Sequence, residues 1–392
     1  MAFFSRADFL KVADSIFGPP LCRLLGRLYM RRDADTGPAV PNPAGVRRIL
    51  LIRPGGMGDM VVLLPALAAL KDQFPRAEID VVCEKRNLAV LRMAGFTRAA
   101  LPYDVTPFRT LHRLRHTPYD LAIDTEQFHH FSAVFAALSR APIRVGFKIN
   151  PLRNPLYTHL VNYAPDGPEG VQFMRLLEPL GIRNGYARLE GVLANYVGSL
   201  PEPVEQELRT LAPSGAFVVL HPGTSSIYKQ WPEGRFSRLA ADLCREHSLA
   251  VAIVGDANDV PLGNRIVEDC RAAACPALSF QGRLSLSETT AVIQRARLFV
   301  GTDSGLAHLA VALGCPTVIQ FGPSDALKWG VDDPTHATVR ADLACAPCFI
   351  FGYHKPCRTV ACMRQITVEA VLNACRTVLR NSALPPSPRL TT

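Results

Sequence analysis

The sequence feature that most constrains the fold is a strand pattern that turns directly into a helix pattern near residue 300. Residues 298–300 are apolar and resemble the end of a buried strand, and apolar residues recur at helical spacing across 306–313. The chain must therefore turn sharply across 301–305. Such a turn leaves backbone N–H groups and the positive end of the helix dipole facing outward, where an anion such as phosphate can bind. An ordinary capped helix start has the same pattern, because Thr, Asp and Ser are favoured caps.

The same order of strand, turn and helix recurs along the whole chain. Short apolar runs predict strands at 46–53, 79–83, 121–124 and 145–147, and then at 216–220, 250–254, 298–300 and 317–321. Helical patterns separate these runs. This alternation predicts an α/β protein with doubly wound parallel sheets.

The length of 392 residues predicts two domains. Residues 1–45 are expected to form a basic amphipathic extension and a linker, and 46–200 the first domain. A proline-rich change of composition around 195–213 marks the boundary, so 201–382 form the second domain. The proline-rich end, 383–392, is predicted to be a disordered tail.

Composition excludes several classes of protein. The longest apolar run, 61–70, contains Pro65 and is too short to span a membrane. A net charge of +9 favours anionic partners, but no nucleic-acid-binding motif is present, so nucleic acid is not an expected partner. The start of the chain lacks a signal-peptide pattern, which predicts a cytoplasmic protein with reduced thiols.

The first 32 residues carry apolar side chains at helical spacing beside Arg23, Arg27 and Arg31. A helix of this kind can lie in the plane of an anionic bilayer surface. It can equally pack on the body of the protein, and the sequence leaves both alternatives open.

A glycine turn follows the first predicted strand and contains Gly55, Gly56 and Gly58, with Asp59 at its end. It lacks the Lys-Ser/Thr pair of a phosphate-loop NTPase and the third glycine of a dinucleotide fingerprint. A carboxylate exposed at the carboxyl end of a strand can accept a proton from an attacking hydroxyl. Asp59 could instead be the N-cap of a helix that begins at Met60.

The loop 221–232 is a second candidate site, because Thr224 and Ser225 supply hydroxyl groups and Lys229 a positive charge that can pair with phosphate. Lys229 alone would be an ordinary surface lysine. A third turn, 255–259, places Asp259 after another strand, where a carboxylate can accept hydrogen bonds from ribose hydroxyls. A simple turn remains the alternative.

Four cysteines near the end of the chain have the spacing C-x2-C-x8-C-x4-C. They are Cys345, Cys348, Cys357 and Cys362. Four thiolates could hold a structural zinc in tetrahedral geometry. The spacing is not that of a standard zinc finger, and an oxidised or packed loop is the alternative.

Taken together, these stretches resemble glycosyltransferase family 9, the family of the lipopolysaccharide heptosyltransferases, over about residues 46–380. The motifs that carry the resemblance are Ile52-Arg53 with Gly58-Asp59 and Pro65, His221-Pro222-Gly223 with Lys229 and Trp231-Pro232, and Asp303-Ser304-Gly305 with His308-Leu309-Ala310 and Phe321-Gly322-Pro323. The resemblance implies the GT-B fold, in which two Rossmann-like domains face a central cleft. The N-terminal domain would bind the acceptor and the C-terminal domain the nucleotide-sugar.

By the same resemblance, Asp59 is the candidate general base that would deprotonate the acceptor hydroxyl, and Lys229, with Thr224 and Ser225, would neutralise the departing diphosphate. The displacement would invert the anomeric carbon and need no metal ion or other cofactor. The donor-binding residues implied by the resemblance are Thr224, Ser225, Asp259, Asp303, Ser304, Gly305 and His308.

The function implied is transfer of a heptose or related sugar from a nucleotide-sugar, ADP-heptose in this family, to a lipopolysaccharide core or another lipid-linked saccharide. The expected partners are that donor, a phosphorylated or acidic glycolipid acceptor and the anionic inner face of the cytoplasmic membrane. Asp259 stands where a glutamate is expected, so a different nucleotide-sugar remains an alternative. The other alternative is a catalytically silent protein that binds nucleotide-sugars or scaffolds surface-polysaccharide assembly.

Overall fold

The computed structural model describes residues 6–30, 42–182, 188–350, 353–354 and 357–382. The chain divides into two compact units, Met1–Leu189 (unit 1) and Glu190–Thr392 (unit 2). Most of the predicted linker and the whole predicted tail lie outside the described residues.

Unit 1 contains six strands and six α-helices in its described part. Its elements are α1 (Arg6–Met30), β1 (Arg48–Ile52), α2 (Met57–Gln73), β2 (Glu78–Cys83), α3 (Leu88–Ala94), β3 (Ala99–Pro102), α4 (Pro107–His116), β4 (Leu121–Asp124), α5 (His130–Leu138), β5 (Ile143–Phe147), β6 (His159–Val161) and α6 (Glu169–Arg175). The strands form one sheet in the order β3-β2-β1-β4-β5-β6, and every pair is parallel.

Unit 2 repeats this plan with a short hairpin and two further helices at its end. Its elements are α7 (Glu202–Leu211), β7 (Phe217–His221), α8 (Glu233–His247), β8 (Ala250–Ile253), α9 (Val260–Ala272), β9 (Ala277–Ser279), α10 (Leu286–Arg295), β10 (Leu298–Thr302), α11 (Gly305–Ala312), β11 (Thr317–Phe321), α12 (Ala326–Trp329), β12 (His336–Arg340), β13 (Phe349–Ile350), β14 (Tyr353–His354), α13 (Ala361–Gln365) and α14 (Val368–Ser382). The sheet order is β12-β11-β10-β7-β8-β9, again all parallel.

Both sheets therefore have the strand order of a Rossmann fold, which confirms the predicted α/β class. In each, the order reverses between the first and fourth strands of the unit: β1 and β4 in unit 1, β7 and β10 in unit 2. Open parallel sheets bind ligands outside the carboxyl ends of the strands at such a switch point. The topology thus predicts where each unit holds its ligand.

The eight predicted strands are all present. In the two six-stranded sheets, the four strands that the sequence did not predict are the edge strands β3, β6, β9 and β12, and the short hairpin strands β13 and β14 were not predicted either. The central strands are buried along all or nearly all of their length: β10 is buried throughout, and β1 is buried except at its first residue, Arg48. They therefore form continuous apolar runs. The edge strands are only partly buried, so no such run marks them.

The boundary between the units lies about ten residues before the predicted position near residue 200. The segment that precedes α7 belongs to unit 2 because it hydrogen-bonds to α11 and α10. The amides of Gly191 and Leu193 donate to the carbonyls of Val311 (3.2 Å) and Ala312 (2.7 Å) at the end of α11. The prolines of this stretch lie at the two ends of α7: Pro201 is its N-cap, Pro203 lies in its first turn, and Pro213 follows its end.

Helix α1 runs without interruption through Pro19-Pro20 and packs against α5. The predicted extension is thus an integral part of unit 1. Of the helices in the described residues, none combines the length and the apolar character that crossing a bilayer requires.

Candidate functional site

Asp59 lies in the first turn of α2, the helix that follows β1. The switch point of unit 1 lies between the ends of β1 and β4. The helix begins at Met57, three residues earlier than predicted, and Gly56 is its N-cap. Asp59 is therefore not an N-cap residue. One carboxylate oxygen accepts from the amide of Gly56 (3.0 Å) and the other from Arg53 Nη2 (2.6 Å). Its side chain is 28% exposed, so it can still meet a ligand.

The buried side chain of Arg53 positions Asp59. Its guanidinium is almost fully buried, donates to the carbonyl of Thr125 (3.0 Å) at the end of β4, and lies over the ring of Phe173. Burial opposes a charge here, but Asp59, Glu126 and Glu169 outweigh it and raise the pKa of Arg53. The arginine is thus a permanent cation that fixes one oxygen of Asp59.

Residues that follow β2 hold the glycine turn in place by hydrogen bonds. Gly55 has φ +124°, a conformation that favours glycine, and its amide donates to Glu84 (3.1 Å). Its carbonyl accepts from Arg86 (3.1 Å) and Asn87 (3.2 Å). The turn is a rigid element beside Asp59, with Gly58 inside the first turn of α2.

A buried ion pair supports the other side of the same switch point. Arg153 and Asp124 are both fully buried, and Arg153 Nη2 donates to Asp124 (3.0 Å) and to the carbonyl of Glu126 (2.6 Å). The hydroxyl of Tyr157 donates to the same carboxylate oxygen (2.6 Å). This pair fixes the segment after β4 on which Arg53 depends.

We expect Arg153→Met to lower the free energy of unfolding by about 3–5 kcal/mol, because it leaves the Asp124 carboxylate buried without its cation. Urea denaturation of the full chain measures this. The control is Arg92→Met, which changes an exposed arginine of α3. Equal stability of the two variants would contradict the assigned role of the buried pair.

In unit 2, the loop after β7 and the turn after β10 bring three predicted site residues together. Lys229 Nζ lies 2.6 Å from Asp303, and His308 Nε2 lies 3.4 Å from the other oxygen of that carboxylate. Burial alone would raise the pKa of Asp303, but Lys229 and His308 outweigh it and lower it well below the usual value. Asp303 is thus an anion that positions Lys229, whose ammonium also lies 4.6 Å from the ring centre of Phe349.

The start of α11 lies beside this group. Ser304 caps the helix by accepting from the amide of Ala307 (3.4 Å), and its hydroxyl also pairs with His221 Nδ1 (3.1 Å). Burial lowers the pKa of His221 to about 4, so this ring is neutral at pH 7. Gly305, the first residue of the helix, adds no side chain. The outward N–H groups and the dipole of α11 favour an anion beside Lys229.

The predicted hydroxyl donors occupy different positions in the loop. The hydroxyl of Thr224 donates to the carbonyl of Ser226 and accepts from its amide (3.0 Å), so it stabilises the loop itself. It can donate to a ligand only by breaking the first bond. Ser225 is exposed on the same loop.

Asp259 lies against Gly223, at the beginning of the same loop. It accepts from the amide of Asp256 (3.2 Å), and burial together with Asp256 raises its pKa. A Cβ atom at Gly223 would come within 2.0 Å of its carboxylate. Gly223 is therefore the residue that allows Asp259 to approach the end of β7.

The four predicted zinc ligands come near one another without assembling a tetrahedral site. Burial raises the pKa of Cys362, and the other three thiols add to the effect. Among the described residues, the group of three or more metal-binding side chains with ligand atoms within 4.8 Å of each other is Glu190, Asp333 and His336. No three of the cysteines meet that distance. The zinc site stays a prediction.

Glu84, Glu126 and the Asp124–Arg153 pair were not predicted as parts of these sites. Arg53 and His221 were named as motif residues, but no role was predicted for either. Glu126 follows a predicted strand as Asp59 does, so the same rule could have found it. Arg153 lies in a loop between strands, where no local pattern marks it.

Comparison with known proteins gives the family. The model of "Glycosyltransferase family 9 (heptosyltransferase)" matches residues 108–359, more than half of the chain. The chain belongs to glycosyltransferase family 9. It is therefore a glycosyltransferase, as the resemblance predicted.

Named relatives agree with this assignment. Lipopolysaccharide heptosyltransferase 3 of Escherichia coli is 26% identical over 69% of this chain and 82% of that protein. Lipopolysaccharide heptosyltransferase 1 of Pseudomonas aeruginosa is 27% identical over 77% and 86%. The solved structure of E. coli ADP-heptose LPS heptosyltransferase II covers 86% of this chain and 100% of its own, with 22% identity and a TM-score of 0.62. The fold is GT-B, as predicted.

Proposed function

We propose that this family 9 enzyme transfers a heptose from ADP-heptose to a lipopolysaccharide core or another lipid-linked saccharide, with inversion at the anomeric carbon. The observation that carries the proposal is the Lys229–Asp303 pair beside the start of α11, since it offers a diphosphate a fixed cation and helix N–H groups together. The relatives are named as lipopolysaccharide heptosyltransferases, which supports the same sugar and the same class of acceptor.

Asp59 is the proposed general base. Each carboxylate oxygen already accepts one hydrogen bond, from Gly56 or Arg53, and each keeps a further lone pair. An acceptor hydroxyl that donates to Asp59 would lose its proton as its oxygen attacks the anomeric carbon. The new glycosidic bond then forms on the face opposite the departing diphosphate.

The donor is proposed to bind unit 2. Lys229 and the N–H groups at the start of α11 stabilise the negative charge that grows on the diphosphate as its bond to the sugar breaks. Asp303 positions Lys229 and offers its carboxylate edge to sugar hydroxyls, and Asp259 accepts from the ribose. This charge stabilisation uses residues of the chain and requires no metal ion or other cofactor.

A second candidate is a GT-B transferase with a different nucleotide-sugar donor. The observation that favours it is Asp259, whose side chain is one carbon shorter than the glutamate expected at the ribose. The catalytically silent alternative does not agree with the family assignment, and Asp59 and Lys229 are both present and oriented by charged partners.

We propose that the enzyme works at the inner face of the cytoplasmic membrane, where a phosphorylated or acidic glycolipid acceptor would be presented. The net charge of +9 suits such an acceptor.

The donor is tested by thermal unfolding with nucleotide-sugars, because a ligand that binds only the folded protein must stabilise it. We expect ADP-heptose to raise the melting temperature, and to be consumed when a heptose-deficient glycolipid is added. A larger shift with a uridine or guanosine diphosphate sugar would favour the second candidate and overturn the ADP-heptose assignment.

We expect Gly223→Ala to weaken donor binding about 10- to 100-fold, the loss for one hydrogen bond to a charged group, because the new methyl group displaces Asp259. Calorimetric titration with donor measures the change. Gly234→Ala is the matched control, since a Cβ atom there meets nothing within 4 Å. Unchanged affinity in Gly223→Ala would exclude Asp259 from the donor site.

A further inference from the structure

Helix α1 has two contrasting sides. One side packs against unit 1, and the opposite side exposes large apolar side chains. Of the fourteen large apolar side chains exposed among the described residues, seven lie on this helix: Phe9, Val12, Ile16, Phe17, Leu21, Leu24 and Leu28. Such a concentration on one face marks an interaction surface.

The packed side is held by specific contacts with α5. The buried carboxylate of Asp14 accepts from the amides of His130 (3.0 Å) and Phe131 (2.6 Å), the first two residues of that helix. It thereby satisfies N–H groups that α5 would otherwise leave unpaired. Gly18 fits against His130, where a Cβ atom would come within 2.4 Å, and Cys22 is fully buried in the core. The helix is therefore fixed in its rotation, and the apolar face is turned outward.

The buried acid and the two exposed arginines of this helix lie on different sides. Asp14 is the one acidic residue between positions 9 and 28, and it is buried. Arg23 and Arg27 are exposed, one helical turn apart, on the same side as the apolar residues. An arginine among apolar side chains can bury its stem while its guanidinium reaches a phosphate.

We propose that the outward face of α1, defined by these seven apolar residues with Arg23 and Arg27, binds the surface of an anionic lipid bilayer. The helix lies in the plane of the interface, with its apolar side chains among the acyl chains and its arginines at the headgroup phosphates. A helix of 25 residues is about 38 Å long, so the contact extends over several lipids.

Charge favours a lipid surface over a second copy of the chain. A symmetric dimer through this face would bring the arginine pairs of two copies together, and the described part of the face has no exposed acid to neutralise them. An anionic bilayer supplies that neutralisation. The inference does not depend on the proposed transferase activity, since it concerns binding to lipid alone.

The test is flotation of the full chain with vesicles of phosphatidylglycerol and phosphatidylethanolamine, carrying no glycolipid. We expect the wild-type chain to float with them. Ile16→Gln/Leu24→Gln should weaken binding at least about tenfold, because two half-exposed apolar side chains no longer enter the bilayer. The matched control is Phe108→Gln/Val197→Gln, which removes two apolar side chains that are even more exposed elsewhere.

A second pair of variants tests the charge. Arg23→Glu/Arg27→Glu should weaken binding at least about tenfold at low salt, whereas Arg92→Glu/Arg271→Glu, on exposed positions of α3 and α9, should change it little. All four variants should melt within a few degrees of wild type, since the substituted side chains are exposed.

Equal flotation of the α1 variants and their controls would overturn the proposal. So would a dimer in solution that the α1 variants dissociate, combined with absence of vesicle binding by the wild-type chain. Deleting the helix is not a suitable test, because it would also remove Asp14 and Cys22 from unit 1.

Discussion

Asp59→Asn should reduce the rate of sugar transfer by about 10²–10⁴-fold, the usual contribution of a general base, while leaving donor affinity within about twofold of wild type. The amide has nearly the shape of the carboxylate, and its oxygen can still accept from Arg53 or Gly56. It cannot take up the proton of the acceptor hydroxyl. Single-turnover transfer with saturating donor measures the effect on chemistry alone.

The matched control is Asp72→Asn, which neutralises an exposed carboxylate further along the same helix. It should transfer at the wild-type rate. If the Asp59 variant also turned over normally, the base assignment would be wrong and the acceptor hydroxyl would have to lose its proton elsewhere.

Lys229→Met should lower kcat/KM by about 10²–10³-fold, because the departing diphosphate loses its fixed cation. It should also destabilise unit 2, since the Asp303 carboxylate is left buried with only His308 beside it. Steady-state kinetics and thermal unfolding report the two effects separately.

The double variant Lys229→Met/Asp303→Asn separates the catalytic effect from the structural one. We expect it to recover much of the lost stability, because no unpaired charge remains, but not to recover turnover. Lys148→Met, at an exposed position of unit 1, is the control. Recovery of activity in the double variant would mean that Lys229 acts only by neutralising Asp303.

Much of the fold could be predicted because central parallel strands are buried on both faces and therefore appear as apolar runs, as β4 and β11 do. The edge strands could not, since β6 and β9 are three residues long and half covered. Which strands lie beside each other in a sheet could not be predicted from the sequence either. Lys229 and Asp303 are 74 positions apart, and only the placement of β7 beside β10 brings their loops together.

The same limit explains how the candidate site differs from its prediction. Asp59, Lys229 and Asp303 were found as polar residues after predicted strands. The roles of their charged partners were not predicted. Arg53 was named as a motif residue but looks like the last residue of an apolar run, and Arg153 looks like part of a loop. The two alternatives for the first 32 residues also turned out to be compatible in geometry: one side of α1 packs on the protein, and the other stays exposed.

The central claim is that Asp59 activates an acceptor hydroxyl that displaces the diphosphate in a single step. The most direct measurement is the anomeric configuration of the transferred sugar, determined by NMR on the product made from ADP-heptose and a heptose-deficient glycolipid. The account predicts one new glycosidic linkage whose anomeric configuration is opposite to that of the donor. A product that retains the donor configuration would contradict it.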